Sequence, residues 1–328
     1  MRVLVTGGGG FLGAALSRAL VARGVQVRSF SRGEYPELEA IGVECCRGDV
    51  SDAVTVHTAV RGCDAVFHVA AKAGVWGRRA EYWTSNVVGT TNVLTACVTC
   101  GVPRLIYTSS PSVVYSGHDE CGIDESAPYP ARYLAHYPET KALAEQIVLQ
   151  QNNSQLATIA LRPHLIWGPG DNHLMPRLIE KARNGRLRRV GNGTNLVDTT
   201  YIDNAVAAHL AALDRLQPGA PCAGKAYFIA NDEPLPLWDL INRMLASADL
   251  PPVTKSISPR TAYAAGAVFE AVYKLLGRQD EPPMTRFVAR QLATSHWYDL
   301  TAAKRDLSYA PAVTVEEGLR RLRERLHR

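Results

Sequence analysis

The sequence has no uninterrupted apolar run of about 20 residues, the length that a membrane-spanning helix needs, so it predicts no spanning segment. It also has no internal repeat and no low-complexity tract. Hydrophobic residues make up 46% and charged residues 20% of the chain, a balance typical of globular proteins and not of disordered ones. For 328 residues we expect one dominant core with a smaller appended region.

Cysteine content and net charge exclude several further classes of protein. The seven cysteines are an odd number scattered along the chain, which does not indicate a disulfide scaffold and favours a reducing, cytoplasmic location. Cys97 and Cys100 form a C-x-x-C motif without a second Cys/His pair, so we expect no metal site. The net charge of +5 is mild and no nucleic-acid-binding module is present, so no nucleic-acid partner is expected.

The first half of the chain alternates short apolar runs with amphipathic segments. This alternation is typical of a parallel sheet wrapped by helices on both faces, and it predicts a Rossmann-type, doubly wound α/β fold. The predicted strands are residues 3–5, 25–30, 43–46, 65–69, 105–108 and 158–161. The predicted helices are residues 10–23, 53–60, 83–100 and 137–151.

After about residue 165 the sequence becomes punctuated by proline and glycine. We therefore predict a cofactor-binding Rossmann domain at residues 1–165 and a smaller substrate-binding lid at residues 166–328, with residues 225–229 returning to the sheet. Within the lid, residues 260–277 form an amphipathic helix. Its apolar face is expected to pack inside the lid, and the alternative of a membrane or partner surface stays open.

A glycine-rich segment at residues 6–13 follows the first predicted strand. Its glycines permit a tight turn and a close approach of backbone N–H groups to a pyrophosphate, and the N-terminus of the next helix then faces the anion. The spacing is G-x-x-G-x-x-G. The predicted cofactor contacts in this segment are Gly7, Gly9, Gly10, Phe11, Leu12 and Gly13.

The end of the second strand indicates which dinucleotide is preferred. NAD enzymes carry an acidic residue at this point to bind the ribose 2′-hydroxyl, whereas this sequence has Ser31 and Arg32. A guanidinium can bind a 2′-phosphate in bidentate fashion, so NADP(H) is predicted over NAD. After the third strand, Asp49 and Val50 are expected at the adenine, although Asp49 can equally serve as a helix cap.

Tyr137 and Lys141 form a Tyr-x-x-x-Lys motif. Their spacing places both side chains on one face of a helix. A nearby ammonium lowers a tyrosine pKa, which would make Tyr137 a usable general acid/base. The fifth strand ends in hydroxyl residues that include Ser110 and Ser112, and these emerge at the carboxyl edge of the sheet, where ligands bind.

These motifs together resemble the extended short-chain dehydrogenase/reductases of the 3β-hydroxysteroid dehydrogenase branch over nearly the full chain. The resemblance implies that Ser110 polarises the substrate oxygen, with Ser112 as the alternative because the register is shifted nearby. It also implies cofactor contacts from two further segments. These contacts are Val69, Ala70, Ala71, Pro163, Leu165 and Ile166. His68, His164 and His173 are weaker catalytic candidates because the Tyr/Lys pair already supplies the proton chemistry.

The segments at residues 69–77, 165–171 and 197–204 resemble, more narrowly, the 2-alkyl-3-oxoalkanoate reductases of the bacterial long-chain olefin pathway. This resemblance implies NADPH-dependent reduction of a lipid-like β-keto acid to the β-hydroxy acid. The largely apolar run at residues 163–167 favours the binding of alkyl chains. Lys72, Arg78 and Arg177 are unranked candidates for binding the carboxylate.

Three alternatives remain open at the level of sequence. A 3β-hydroxysteroid or sterol-4-carboxylate dehydrogenase is the nearest enzyme alternative, because the same branch includes it. A non-catalytic NADP(H) sensor is disfavoured, since such sensors generally lack the Tyr-x-x-x-Lys pair. An assembly with other enzymes of the olefin pathway, through the helix at residues 260–277, is compatible with activity. No feature of the sequence decides the oligomeric state.

Overall fold

The computed structural model describes residues 1–327 and contains helices and strands in alternation. The strands are β1 (Arg2–Thr6), β2 (Gln26–Ser31), β3 (Glu44–Arg47), β4 (Ala65–His68), β5 (Arg104–Thr108), β6 (Glu120–Ile123), β7 (Ala157–Pro163), β8 (Ile166–Trp167), β9 (Arg189–Val190), β10 (Leu196–Val197), β11 (Thr200–Tyr201), β12 (Lys225–Ile229), β13 (Leu235–Pro236), β14 (Ser256–Ile257) and β15 (His296–Tyr298). The α-helices are α1 (Phe11–Ala22), α2 (Pro36–Glu39), α3 (Ala53–Val60), α4 (Arg79–Tyr82), α5 (Gly89–Cys100), α6 (His136–Gln150), α7 (Leu174–Arg183), α8 (Ile202–Arg215), α9 (Leu237–Ser247), α10 (Pro259–Leu275), α11 (Arg286–Ala293), α12 (Thr301–Leu307) and α13 (Val315–Leu326).

The main sheet has seven parallel strands in the order β12-β7-β5-β4-β1-β2-β3. The predicted Rossmann-type fold is therefore confirmed, and the ends of the predicted strands differ from the observed ones by no more than two residues. The chain leaves β1 toward β2 on one side and later returns to β4 on the other. Ligands of open α/β sheets bind outside the carboxyl ends of the strands at such a reversal.

Alternation along β1 shows why the sheet needs helices on both faces. Val3 and Val5 are fully buried in one apolar cluster, which includes Leu16 of α1 and much of α8. Leu4 points the other way, into a second cluster formed with α3 and α5. Because successive side chains of a strand face opposite sides, a strand with apolar residues on both sides must be covered on both.

Residues from distant parts of the chain form the smaller layers beside the sheet. A four-stranded sheet has the order β13-β10-β15-β6, so a strand at residues 120–123 pairs with one at residues 296–298. The expected return of residues 225–229 is confirmed, since β12 pairs with β7 at the edge of the main sheet. No helix within residues 1–327 is both long and apolar enough to cross a bilayer.

Two helical predictions differ from the structure. The helix predicted at residues 83–100 begins as α4, passes through a π-helical segment at Trp83–Val88 and continues as α5. The helix predicted at residues 260–277 is present as α10, but the face that was predicted to be buried is exposed. Its buried residues are Ala262, Gly266 and Glu270. The large apolar side chains that were expected to pack inside the lid face the solvent instead, including Val268 and Leu275.

Candidate active site

A cleft of about 880 Å³ opens at the carboxyl edge of the main sheet. It contains the ends of β2, β5 and β7 and the segments that follow β1 and β4. All the predicted cofactor and catalytic residues except Gly9 line this cleft. Residues that lie as far apart in sequence as Gly7 and Ile166 are therefore brought to one site.

The glycine-rich turn is closely packed against the neighbouring loop. Gly7 has φ +69°, and a Cβ at this position would lie 2.9 Å from the backbone nitrogen of Ala70. A Cβ on Gly13 would lie 2.1 Å from the Gly7 carbonyl oxygen. Only glycine fits at either position. The helix α1 that follows has no acidic residue in its first turn, so its positive end is free to attract an anion in the cleft.

Gly9 is the exception among the predicted cofactor contacts. It lies against the ring of Tyr35, where a Cβ would come within 2.0 Å of a ring carbon, and its N–H donates to Ser31 Oγ at 3.1 Å. The absence of a side chain at Gly9 leaves room for the Tyr35 ring beside the turn. Tyr35 itself lines the cleft and was missed by the sequence analysis, because a single tyrosine in a loop follows no motif.

Arg32 and Asp49 face the same end of the cleft. Arg32 has no ion pair and no side-chain hydrogen bond with any other residue in the described range of 1–327. Asp49 accepts hydrogen bonds from Ser51 N and Ser51 Oγ, at 2.9 and 2.8 Å. These bonds, with a smaller contribution from Arg32, lower the pKa of Asp49. The site thus presents an unpaired guanidinium beside an ionised carboxylate.

Lys141 is buried at the inner wall of the cleft, with only 2% of its surface exposed. Its Nζ donates to the Thr108 carbonyl oxygen at 2.6 Å and lies 4.1 Å from the centre of the Tyr107 ring. Burial lowers the pKa of Lys141 to about 7, although Glu145 acts in the opposite direction. The amine is therefore placed to titrate near neutral pH.

Tyr137 lies on α6 one turn before Lys141 and lines the cleft with Ser110. Burial raises the pKa of Tyr137, and the Ser110 hydroxyl partly offsets this rise. The Tyr-x-x-x-Lys motif alone predicts the opposite direction, because a nearby lysine charge lowers a tyrosine pKa, whereas the loss of solvent in the fold raises it. Ser110 Oγ and Ser112 Oγ are 2.9 Å apart, and Ser110 Oγ also accepts the Ser112 N–H, but only Ser110 lines the cleft.

A buried ion pair connects α6 to strand β7 of the main sheet. Arg162 on β7 donates to Glu145 through Nε at 3.0 Å and through Nη2 at 2.7 Å, and both side chains are at least 97% buried. The Tyr129 hydroxyl also donates to Glu145, at 2.7 Å. Since Glu145 is four residues beyond Lys141, this network connects the face of the helix that lines the cleft to the sheet. The sequence carried no signal for it, because neither partner belongs to a recognised motif.

Leu165 has φ +44°, a left-handed conformation that is uncommon for a leucine, and it lines the cleft while 38% exposed. Hydrogen bonds of the preceding residue hold it there. His164 N–H donates to the Ile229 carbonyl, the His164 carbonyl accepts from Thr200 Oγ1, and His164 Nδ1 lies 2.5 Å from the Asp198 carbonyl. The loop is therefore rigid at the point where its side chains enter the cleft.

The three histidine candidates, His68, His164 and His173, differ in burial and in their position relative to the cleft. His68 is fully buried between the hydroxyls of Thr6 and Thr90, at 2.7 and 2.9 Å, and burial lowers its pKa to about 3. Burial likewise lowers the pKa of His164 to about 3. Both are neutral structural residues. His173 is exposed and lines the cleft.

The candidates for binding a carboxylate also lie in different places. Lys72 lines the cleft and pairs with Glu81 at 2.9 Å. Arg177 pairs with Glu281 outside the cleft. Arg78 lines a second cavity, of about 430 Å³. Among these three residues only Lys72 lines the cleft that contains Tyr137.

The loop that carries Lys72 is fixed by a side chain that the sequence analysis did not assign to the site. Asn86 Oδ1 accepts the Lys72 N–H at 2.7 Å, and Asn86 Nδ2 donates to the Lys72 carbonyl and to Thr140 Oγ1. Asn86 lies in the π-helical segment Trp83–Val88, a distortion that is frequent at functional sites. The amide therefore connects one wall of the cleft to α6.

Comparisons with known proteins agree with this geometry. The model of the 3-beta hydroxysteroid dehydrogenase/isomerase family matches residues 4–257. The 2-alkyl-3-oxoalkanoate reductase of Stenotrophomonas maltophilia is 56% identical over 98% of both chains. The decarboxylating sterol-4-alpha-carboxylate 3-dehydrogenase of Mus musculus is 34% identical over 98% of this chain and 90% of its own. MoeE5, solved with UDP-glucuronic acid and NAD, is 25% identical with a TM-score of 0.76, covering 100% of this chain and 99% of that one.

Proposed function

This chain belongs to the 3-beta hydroxysteroid dehydrogenase/isomerase family of oxidoreductases, and from that premise we propose that it reduces a 2-alkyl-3-oxoalkanoic acid to the 2-alkyl-3-hydroxyalkanoic acid, reversibly, with NADPH. One observation carries the proposal. A reductase of that name from Stenotrophomonas maltophilia shares 56% of its residues over nearly the whole chain. The Ser110, Tyr137 and Lys141 set in the cleft agrees with hydride-transfer chemistry at a carbonyl.

The cleft fits a phosphorylated dinucleotide. A pyrophosphate requires close approach to a backbone without Cβ atoms, which Gly7 and Gly13 provide. A 2′-phosphate requires a cation without a partner, and Arg32 is such a cation among residues 1–327. When bound, the nicotinamide would supply the hydride. Pro163, Leu165 and Ile166 would form the wall against it, and the left-handed Leu165 would fix the position of that wall.

Three side chains would handle the substrate oxygen and its proton. Ser110 would donate a hydrogen bond to the ketone oxygen, and Tyr137 would protonate that oxygen as it becomes an alcohol. The raised pKa of Tyr137 keeps the phenol protonated, which suits a proton donor in the reductive direction. Lys141 would orient the cofactor ribose and replace the proton on Tyr137. Its pKa of about 7 allows it to release and regain a proton near neutral pH.

The substrate side supports an alkyl acid. Leu165, Ile166 and Leu174 give the cleft an aliphatic wall, and Lys72 is the cation that reaches it. We place the dinucleotide in residues 1–165 and the binding of the alkyl chains mainly in residues 166–328. By the same resemblance we place the protein in the cytoplasm, in bacterial olefin biosynthesis, where it would meet partner enzymes that process the same lipid.

A second function has a specific observation in its favour. The mouse sterol-4-alpha-carboxylate 3-dehydrogenase covers 98% of this chain at 34% identity, so oxidation of a 3β-hydroxysterol acid is the alternative. Both substrates place a carboxylate one carbon away from the reacting carbon. Turnover with a 2-alkyl-3-hydroxy acid and none with a 3β-hydroxysterol supports the first assignment. The reverse result supports the second.

The test of the catalytic set compares two tyrosine variants. In Tyr137→Phe we expect kcat for oxidation of a 2-alkyl-3-hydroxy acid, followed as NADPH absorbance, to fall by about 10²–10⁴-fold. Its Kd for NADPH, measured by fluorescence titration, should be unchanged. Tyr263→Phe serves as the matched control, because Tyr263 is outside the cleft. Full turnover by Tyr137→Phe with normal NADPH binding would refute the assignment.

A further inference from the structure

Tyr35 carries a free hydroxyl at the wall of the cleft. Its side chain is half-buried and packs against the apolar cluster that contains Val3 and Val5. It also lines the cleft, and its hydroxyl has no hydrogen bond with another residue among 1–327. The apolar body of the ring is thus used by the fold, while the polar tip is available to a ligand.

Two glycines make room for this side chain. A Cβ on Gly9 would lie 2.0 Å from Cζ of the Tyr35 ring. A Cβ on Gly33 would lie 3.1 Å from the Tyr35 hydroxyl oxygen. The tip of the ring therefore lies between the glycine-rich turn and the residues that follow β2. In Rossmann-type sites the residue at the end of the second strand binds the ribose 2′ position, so the hydroxyl lies at the end of the cleft where that position is read.

The backbone holds Tyr35 at this place. Its carbonyl oxygen accepts the N–H groups of Leu38 at 2.9 Å and Glu39 at 3.3 Å, at the start of α2. Pro36 follows at the first position of that helix, where its fixed φ is favourable. Leu38 is fully buried and anchors the short helix to the core. Because Tyr35 is held in advance, its hydroxyl loses little conformational freedom when it binds a ligand.

The charges around this hydroxyl favour an anion. Glu34 is the one carboxylate in residues 31–36, and it pairs with Arg47 at 3.2 Å. Arg47 Nε also donates to the Arg32 carbonyl oxygen at 3.0 Å, which holds the segment on β3. Ser31 Oγ accepts a backbone N–H, so its own proton is free to be donated. Ser31, the unpaired Arg32 and Tyr35 therefore offer donors without a competing carboxylate in their own segment.

A phosphate uses such donors better than a hydroxyl does. The 2′-phosphate that distinguishes NADP(H) from NAD(H) has three strong acceptor oxygens and a negative charge. Hydrogen bonds to an ionised acceptor are roughly twice as strong as those between neutral groups. Asp49, the carboxylate that faces the same end of the cleft, already accepts two hydrogen bonds from Ser51. The donors therefore discriminate in favour of the phosphorylated cofactor.

We propose that Tyr35 is a specificity-determining residue, whose hydroxyl donates a hydrogen bond to the 2′-phosphate of NADPH beside Arg32 and Ser31. Gly9 and Gly33 contribute by leaving the space that the tip of the ring occupies. This role rests on the proposed use of NADPH. It concerns the binding of the cofactor and not the transfer of hydride.

Tyr35→Phe removes the hydroxyl and keeps the ring, so it separates hydrogen bonding from packing. In fluorescence titrations the Kd for NADPH should rise about 10- to 100-fold, as for a lost hydrogen bond to a charged group, and the Kd for NADH less than about threefold. Adenosine 2′,5′-bisphosphate, which has no nicotinamide, should lose affinity to the same extent in calorimetry, and AMP should lose little. Tyr263→Phe is the matched control, because Tyr263 lies outside the cleft.

Gly9→Ala tests the placement of the ring. Its Cβ would push the tip of Tyr35 out of position, so the preference for NADPH over NADH should fall as in Tyr35→Phe. In Gly9→Ala/Tyr35→Phe the preference should fall no further, because the hydroxyl is already lost. Effects that multiply in the double variant would show that Gly9 does not act through Tyr35, which overturns that part of the proposal.

The outcomes separate this role from the use of NADPH itself. Equal weakening of NADPH and NADH binding in Tyr35→Phe assigns the tyrosine to packing alone and overturns the proposal. A wild type that prefers NADPH, with a Tyr35→Phe variant that keeps the full preference, refutes the role of Tyr35 only. A wild type that binds both cofactors with the same Kd refutes the use of NADPH and the role of Tyr35 together.

Discussion

Replacing Lys141 by methionine removes a buried amine whose proton affinity the fold has changed. In the folded chain the pKa of Lys141 is about 7. In the unfolded chain a lysine has a pKa of about 10.4. Between these two values the unfolded state binds more protons than the folded state, so the contribution of Lys141 to stability rises with pH. Its cost is largest below pH 7 and disappears as the pH approaches the unfolded value.

The size of this effect follows from the two pKa values. Over the interval from pH 7 to pH 9, linkage predicts that the free energy of unfolding of the wild type gains about 2 kcal/mol relative to that of Lys141→Met. Other groups titrate in both proteins, so they cancel in the difference. Lys141 is only 2% exposed, and solvent screening therefore reduces the effect little.

The assay is urea unfolding followed by tryptophan fluorescence at pH 7 and pH 9. The control is Lys255→Met, which changes an exposed lysine and should show no such dependence on pH. Equal m values in all three proteins would show that the midpoints report stability alone. A difference between wild type and Lys141→Met that stays constant from pH 7 to pH 9 would refute the reasoning, because it would mean that burial leaves the lysine pKa unchanged.

Three further predictions concern the cofactor, the cleft loop and the buried ion pair. In fluorescence titrations Arg32→Glu should raise the Kd for NADPH about 10- to 100-fold and leave the Kd for NADH unchanged. The reason is that a charge-assisted hydrogen bond contributes about 1.5–3 kcal/mol. Equal weakening of NADPH and NADH binding would contradict a contact between Arg32 and the 2′-phosphate. Leu165→Ile should lower the free energy of unfolding by about 1–2 kcal/mol, because a β-branched residue tolerates positive φ poorly. Leu134→Ile, at the same 38% exposure, should change it little, and equal effects would exclude backbone strain. Glu145→Gln should cost about 3–5 kcal/mol in urea unfolding by leaving Arg162 buried without its partner. The control is the partly exposed pair of Arg79 and Glu139, since Glu139→Gln should cost less than about 1 kcal/mol. A similar loss of stability in Glu145→Gln and Glu139→Gln would contradict the distinction between buried and partly exposed pairs.

Much of the fold was predictable because its signals are local. Most strands of the main sheet contain a short apolar run, which is typical of a parallel strand covered on both faces, and each was found to within two residues. The glycine turn was predictable for the same reason. Its conformation depends on which residues lack a Cβ, and the positions of the glycines can be read directly from the sequence.

The helix at residues 260–277 was predicted with the wrong face inside, and the reason is physical. A hydrophobic stripe specifies a helix, but not the surface against which it packs. The position of α10 is decided by Gly266 against the Thr285 backbone and by Glu270 with Arg286, contacts between segments about 16–20 residues apart. These contacts outweigh the preference of leucine for the interior.

The direction in which the pKa of Tyr137 is shifted could not be predicted from the sequence either. A motif lists the charges near a side chain, but it does not give the solvent that the fold removes. In the structure the loss of solvent raises the pKa of Tyr137 and lowers that of Lys141. The sequence contained both residues and their spacing, and only burial determined their proton affinities.

By itself, the sequence determined the order of the elements, the turn at residues 6–13 and the residues Ser110, Tyr137 and Lys141, because each depends on neighbours within a few positions. The tertiary structure decided which of them share a cleft, that Ser110 lines it while Ser112 does not, and that Gly9 lies against Tyr35. It also decided that α10 presents leucine to the solvent. Such outcomes depend on packing between distant segments, where small differences in burial and close contact set the energy, and no local pattern encodes them.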